Sequence, residues 1–319
     1  MKQPEKKNFH IHLLVIILLS VLLLLSLLRT PKKELRKMED VINRLETTYD
    51  ERTLYKSEKQ LASFLSKEKK LVFRDRATFL QGRLEFIKAY NTPGNLHDLY
   101  MNNALKQFRM NISASSNYLA ENLFWLGVSY YNMGENNFRD AQQTLIDSLR
   151  RGYTDRIKII KILNNIYLKN NDFQTIIDLN QEFLKKRFYD AELLLSLASA
   201  YKGSGNPDKA KEVLSFIKSL KEKPQEKIQR EVYGLLADLQ YEGSQWKEAA
   251  ENYDLCFRIG GSELLRYPDM RFRYAECLVA IGEQDVALSI LEEMLKPGSG
   301  NRAVSTLYNK LKESKANDF

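Results

Sequence analysis

"LASAYKGSGNPDKAKEVL" (Leu197–Leu214) sets Gly203-Ser204-Gly205-Asn206-Pro207 between two apolar runs. Such a segment either cradles a phosphate or turns the chain between two helices. A Walker-type phosphate loop needs G-x-x-x-x-G-K-[ST] behind a β-strand. Here the glycines are two apart, and a helical pattern ends at Gly203. Asn206 stands where a helix cap is wanted, and Pro207 at the first helical position. The stretch therefore reads as a corner between helices, which removes the case for nucleotide chemistry.

The corner recurs. Ala198 and Ala210, Ala237 and Ala249, and Ala275 and Ala287 are each twelve residues apart. The bridging turns are "KGSGNPDK", "EGSQWKE" and "IGEQD". Two helices approach closely only where facing side chains are small, so each pair marks a helix–helix contact. The positions Leu194, Leu197, Ala198, Tyr201 and Ala210 resemble the tetratricopeptide repeat. So do Tyr233, Leu236, Ala237, Ala249 and Tyr253, then Tyr274, Ala275, Ala287 and Leu291. Earlier copies carry Gly82, Ala104 and Phe108, and Gly127, Tyr130 and Ala141 after a longer turn. A degenerate copy has Asn164, Tyr167 and Ile176, and should be looser or bent. The resemblance covers residues 70–296 and implies about six helix pairs in an all-α, right-handed superhelical solenoid. Ala303, Val304, Leu307, Tyr308 and Leu311 then form one stripe within 297–319, the pattern of a capping helix and tail.

Ahead of the repeats, Ile11–Leu28 is apolar apart from His12 and two serines. As a helix it spans about 27 Å, enough for a hydrocarbon core. It lacks an A-x-A-like cleavage site, so the expectation is an uncleaved, single-pass transmembrane helix behind a short basic tail, residues 1–10. Lys2, Lys6 and Lys7 precede it; Arg29, Lys32, Lys33, Arg36 and Lys37 follow. The tail favours a cytoplasmic N-terminus and the body outside, in the periplasm; the larger count on the C-side favours the reverse. The expectation adopted is an inner-membrane protein with an extracytoplasmic body. Residues 29–69 read as a juxtamembrane helical segment. Leu35, Met38, Ile42, Leu45 and Tyr49 make a heptad-like stripe that either docks on the body or pairs with its own copy. Leu54, Leu61, Phe64 and Leu65 mark a second amphipathic helix.

The net charge of +8 is uneven. Residues 1–75 hold 16 Lys and Arg against 10 Asp and Glu, whereas 190–319 hold 18 against 21. That gradient is membrane-proximal, and an acidic C-terminal half disfavours nucleic acid as partner. Catalytic residues are scarce. Of three histidines only His97 lies in the body, and Cys256 and Cys277 lack C-x-x-C spacing. No triad, metal site or cofactor site can be assembled, so the expectation is no enzyme and no cofactor. Ser66-x-x-Lys69 and Ser215-x-x-Lys218 are chance spacings on helical stretches, and Asn111-Ile112-Ser113 is a lone glycosylation sequon.

The first helix of each pair, helix A, lines the concave face of such repeats. The resemblance therefore implies an exposed protein-binding groove of Arg76, Phe79, Arg83, Phe86, Phe124, Tyr131, Lys158, Lys161, Asn165 and Lys169. It should turn acidic later, at Glu192, Glu231, Asp238, Tyr241, Asp269, Phe272 and Glu276. Lys161 and Asn165 have the spacing of the family's carboxylate clamp, but Ser196, Glu231 and Leu235 depart from it, against a chaperone-tail receptor. The layout is similar to that of membrane-anchored bacterial tetratricopeptide proteins in envelope biogenesis or motility machinery, such as flagellar collars. The expected role is a scaffold or adaptor for other proteins of a membrane complex; the alternative is a regulatory or docking subunit of a membrane enzyme.

Overall fold

The computed structural model describes residues 5–114, 118–186, 188–261, 267–295 and 302–317, with α1 side chains at 17–21 and from 31 onward. Fifteen α-helices and no strand occur among them. The chain divides into two compact units, 1–162 and 163–319, within the seventh helix.

In the first unit, α1 (Glu5–Thr47), α2 (Glu51–Lys67) and α3 (Leu71–Asn91) pack against one another. The heptad-like stripe docks on the body: Leu35, Met38, Ile42 and Leu45 are buried, while Tyr49 is exposed. Leu54, Leu61 and Phe64 bury the inner face of α2. Asp50 caps that helix, accepting from Thr53 N at 2.9 Å. Next come α4 (Asn95–Ala114), α5 (Leu119–Asn132), α6 (Phe138–Arg150) and the start of α7 (Arg156–Lys169). α3 pairs with α4, and α5 with α6. The glycines decide these contacts. A Cβ on Gly82 would stand 2.7 Å from the Phe108 ring, and one on Gly127 2.7 Å from Leu145 Cγ.

The second unit runs from the end of α7 through α8 (Phe173–Lys185), α9 (Ala191–Gly203), α10 (Pro207–Ser219), α11 (Glu226–Glu242), α12 (Trp246–Gly260), α13 (Pro268–Ala280), α14 (Gln284–Met294) and α15 (Arg302–Asn317). Ala198, Ala210, Ala237, Ala249, Ala275 and Ala287 are fully buried, in the cores between successive pairs. Val304 and Leu311 of α15 close the last pair; Ala303 lies outside that stripe, exposed. In the degenerate copy Asn164 is buried, and its amide reaches Asn180 Oδ1 at 3.4 Å.

The opening corner is a Schellman turn. Asn206 N donates to Tyr201 O at 2.8 Å and Gly205 N to Lys202 O at 3.1 Å, with Gly205 at φ +76°. Asn206 holds the cap position, yet its amide bonds Ser204 rather than the helix N-terminus. The same two backbone bonds close the corners at Asn171, Ser244 and Gly282, all at positive φ. The turn is thus set by backbone geometry, which is why its sequence varies from copy to copy.

The anchor expected at Ile11–Leu28 lies mostly outside the described side chains; its backbone is helical within α1. Among the described residues no helix is long and apolar enough to cross a membrane.

Two stability outcomes follow. Ala249→Leu overpacks a buried contact and should cost about 1–3 kcal/mol, whereas Ala280→Leu on an exposed position should be nearly neutral. Ser244→Gly relieves a left-handed serine and should raise stability by about 0.5–1 kcal/mol. Urea denaturation of the three variants measures both, and equal midpoints for Ala249→Leu and Ala280→Leu would place the helix contact elsewhere.

Candidate protein-binding surface

In the first unit the expected groove is filled by the chain itself. Arg76 donates from Nη1 to Glu121 Oε2 of α5 at 2.7 Å and from Nη2 to Glu39 of α1. Arg83 donates from Nε to Glu46 Oε1 and from Nη2 to Asn43 Oδ1, each at 2.8 Å. Both arginines are buried, with 9% and 4% of their surface exposed. Burial alone would lower the pKa of the Arg76 guanidinium, but the carboxylates of Glu121 and Glu39 outweigh it and the pKa is raised. Arg76 also lies over the rings of Phe79 and Tyr118, and Arg83 over Trp125. Lys88 completes the row, paired with Glu58 of α2 and with Glu85.

The expectation that Arg76, Phe79, Arg83, Phe86 and Phe124 stand open is therefore corrected: all five are buried. Phe79 turns to Phe108 in the α3–α4 contact, ring centres 5.8 Å apart. Phe86 meets Trp125 edge-on at 5.3 Å, and Phe124 stacks on Tyr153 at 4.4 Å. Tyr131, half-buried, stacks on Phe138 in its own pair. Lys158 and Lys169 are exposed along α7, Lys161 and Asn165 half-buried; Lys158 pairs with Asp155 at 3.3 Å. Sequence reasoning missed Trp125, Tyr153, Glu39 and Glu46. The signal was present: Glu39 and Glu46 are one heptad apart beside the apolar stripe, as are Arg76 and Arg83 on α3.

In the second unit the A helices α9, α11 and α13 lie side by side. Asp238 of α11 accepts from Arg273 Nη1 of α13 at 2.9 Å and from the Tyr253 hydroxyl at 2.7 Å; Lys202 Nζ of α9 stands 3.9 Å away. Tyr241 donates to Glu276 Oε2 at 2.6 Å, and Lys202 pairs with Glu242 at 2.9 Å. The bond to Glu276, with burial, pushes the Tyr241 hydroxyl up to about 12. The face is thus not simply acidic. Lys202 and Arg273 neutralise it, leaving half-exposed alternating charge beside Phe272.

Reactive groups are inert here. Burial pushes the thiols up, Cys256 to about 11 and Cys277 to about 12. His97 Nδ1 sits 2.8 Å from Ala89 O. Asn111 buries its amide nitrogen, so the sequon offers no accessible acceptor. No group of three metal-ligating side chains occurs among the described residues.

No family model and no curated protein matches the chain. Solved structures do. The apo form of RapI aligns at TM-score 0.62 and 15% identity, over 87% of this chain and 79% of that one. NprR in complex with its cognate peptide NprX aligns at 0.52 and 11%, over 90% and 84%. The fold is tetratricopeptide-like. A third match, Naa15/Naa10 bound to HypK-THB, has TM-score 0.41 and 16% identity; it covers 88% of this chain, which spans only 39% of that one.

Reversing both acids that hold α1, Glu39→Lys with Glu46→Lys, leaves two buried guanidiniums facing like charge and should undock α1. Limited trypsinolysis should then cut after Arg44 well before any site in α9–α14; an unchanged cleavage order would show that the apolar stripe alone holds the helix.

Proposed function

We propose that this chain is a membrane-tethered scaffold that binds other proteins in a bacterial envelope assembly. One observation carries the binding role. The side-by-side A helices α9, α11 and α13 present half-buried Lys202, Asp238, Arg273 and Glu276, which, among the described residues of the second unit, no helix covers in the way α1 covers α3. Alternating charge of this kind sets register and partner choice more than raw affinity. A protein of the same fold solved with its cognate peptide supports a peptide- or protein-binding use.

The tether reading rests on Ile11–Leu28. Its described side chains Ile17, Leu18, Leu19 and Val21 are 50–60% exposed, a run of bare aliphatic surface that water disfavours and hydrocarbon accommodates. The lysine-bearing tail places the body on the extracytoplasmic side of the inner membrane in this reading.

Two measurements test it. A reporter active only outside the cytoplasm, fused after Phe319, should be active; activity of a cytoplasm-only reporter instead reverses the orientation. Crosslinking in intact membranes should capture one large fixed assembly, whereas a single captured enzyme would favour a regulatory subunit. Lys202→Glu with Glu276→Lys should abolish that capture while shifting stability by no more than about 1 kcal/mol, because the groups are partly exposed. Undiminished capture by this variant removes the A-helix face as the docking surface.

A further inference from the structure

The α2–α3 turn is held in a fixed shape. Arg74 Nη1 donates to Leu65 O at 2.8 Å and to Glu68 O at 3.1 Å, and Lys70 N donates to Glu68 Oε1 at 2.8 Å. This rigid turn nevertheless exposes aliphatic surface. Leu71 is 63% and Val72 57% exposed, at the first turn of α3, directly after exposed Lys67, Lys69 and Lys70.

The salt bridges say where the turn sits along α1. Arg76 pairs with Glu39 and Arg83 with Glu46, so α1 and α3 run in the same direction with an offset of 37 residues. By that offset Leu71 and Val72 come level with Glu34 and Leu35. Consistently, Val72 lines a cleft of about 580 Å³ together with Lys32, Leu35 and Arg36. α1 is assigned as one helix from the apolar stretch to this point, with Pro31 inside it. Leu35 lies seven residues past Leu28, about 10 Å along the axis. The headgroup layer is about 5–8 Å deep on each side of the hydrocarbon. Lys32 and Lys33 therefore fall within that layer, and the turn falls just beyond it, with lysine stems long enough to reach in.

We propose that the α2–α3 turn, with the basic flank of α1, is a docking surface for anionic lipid headgroups. It rests on the reading of Ile11–Leu28 as an anchor. Charge complementarity identifies the occupant: exposed Lys67, Lys69 and Lys70 run directly into Leu71 and Val72, and Lys32 and Arg36 line the cleft that Val72 shares, where Glu39 is already paired with Arg76 and Asp40 is the remaining acid. Basic side chains close to a membrane attract acidic lipids strongly, and aliphatic tips add apolar contact. The contact fixes the first unit against the bilayer.

The test uses the full chain in nanodiscs. A Val72→Cys variant carries an environment-sensitive fluorophore; Cys256 and Cys277 are 1% and 0% exposed and stay unlabelled. A Tyr90→Cys variant, at the far end of α3, serves as the control position, 73% exposed. Headgroup-spin-labelled lipid should quench the label at 72 in discs containing phosphatidylserine, and leave the label at 90 bright. Quenching at 72 should fall to the zwitterionic-disc level when Lys69→Glu and Lys70→Glu are added. Three outcomes overturn the proposal: position 72 as bright as 90 in anionic discs, equal quenching in both lipid compositions, or quenching indifferent to the charge reversal. Failure of the chain to enter discs at all overturns the anchor as well, so the two failures are told apart by disc incorporation.

Discussion

The repeat units depend on how closely two helix backbones can approach. The unit-one pairs solve this with Gly82 under the Phe108 ring and Gly127 under Leu145, a missing side chain facing a large one. The pairs α9–α10, α11–α12 and α13–α14 solve it with buried alanines on both helices. The two solutions fill similar space with different residues. Packing at near-crystalline density tolerates such exchanges when total volume is kept. Enlarging the small residue on either helix forces the neighbouring side chains or the backbones to shift, at about 1–3 kcal/mol for each contact.

A second constraint fixes what lies on the repeats. The guanidiniums of Arg76 and Arg83 are taken out of water and answered by Glu39, Glu46, Asn43 and Glu121. A buried charge without its partner is costly, so these pairs specify α1 in one register and one direction. The apolar stripe could by itself slip by a heptad; such a slip would bring Glu46 to Arg76 or Glu39 to Arg83 but leave the other arginine buried without its acid, so it is the presence of two pairs that opposes it.

The helix pairs were legible because the signal is local. Small residues twelve apart, a turn between them and a repeat period are all carried within about forty residues of chain. The docking of α1 was half legible: Leu35, Met38, Ile42 and Leu45 announced a buried stripe, but not what would bury it. The groove was misread for a related reason. Arg76 and Arg83 occupy positions that face outward in an isolated repeat, and a contact 37 residues away in sequence covers that face, whereas Phe79 turns inward to Phe108 of its own pair. Phe124 was hidden by Tyr153, a residue in a loop that carries no periodic signal. In the second unit the acids were visible, whereas their partners Lys202 and Arg273 lie on neighbouring A helices and become neighbours only once the pairs stack.

Occupancy of the first repeat by α1 bears on which surface is free to take a partner. Removing α1 uncovers Leu35, Met38, Ile42 and Leu45. At about 1.5–3 kcal/mol for each buried aliphatic side chain, that is on the order of 6–12 kcal/mol before the charge pairs are counted. A ligand for the α3 face would have to supply this before gaining any net affinity, and micromolar binding itself corresponds to only about 8 kcal/mol. A competing helix would thus need the stripe, the heptad-spaced acids and a larger buried area than α1 already provides. Among the described residues of its unit, the face of α9, α11 and α13 carries no such occupant, and its ion pairs are partly exposed. Breaking them to admit a partner costs about 1 kcal/mol or less apiece. The asymmetry in displacement cost, rather than any difference in residue type, makes the α3 face the harder of the two to open.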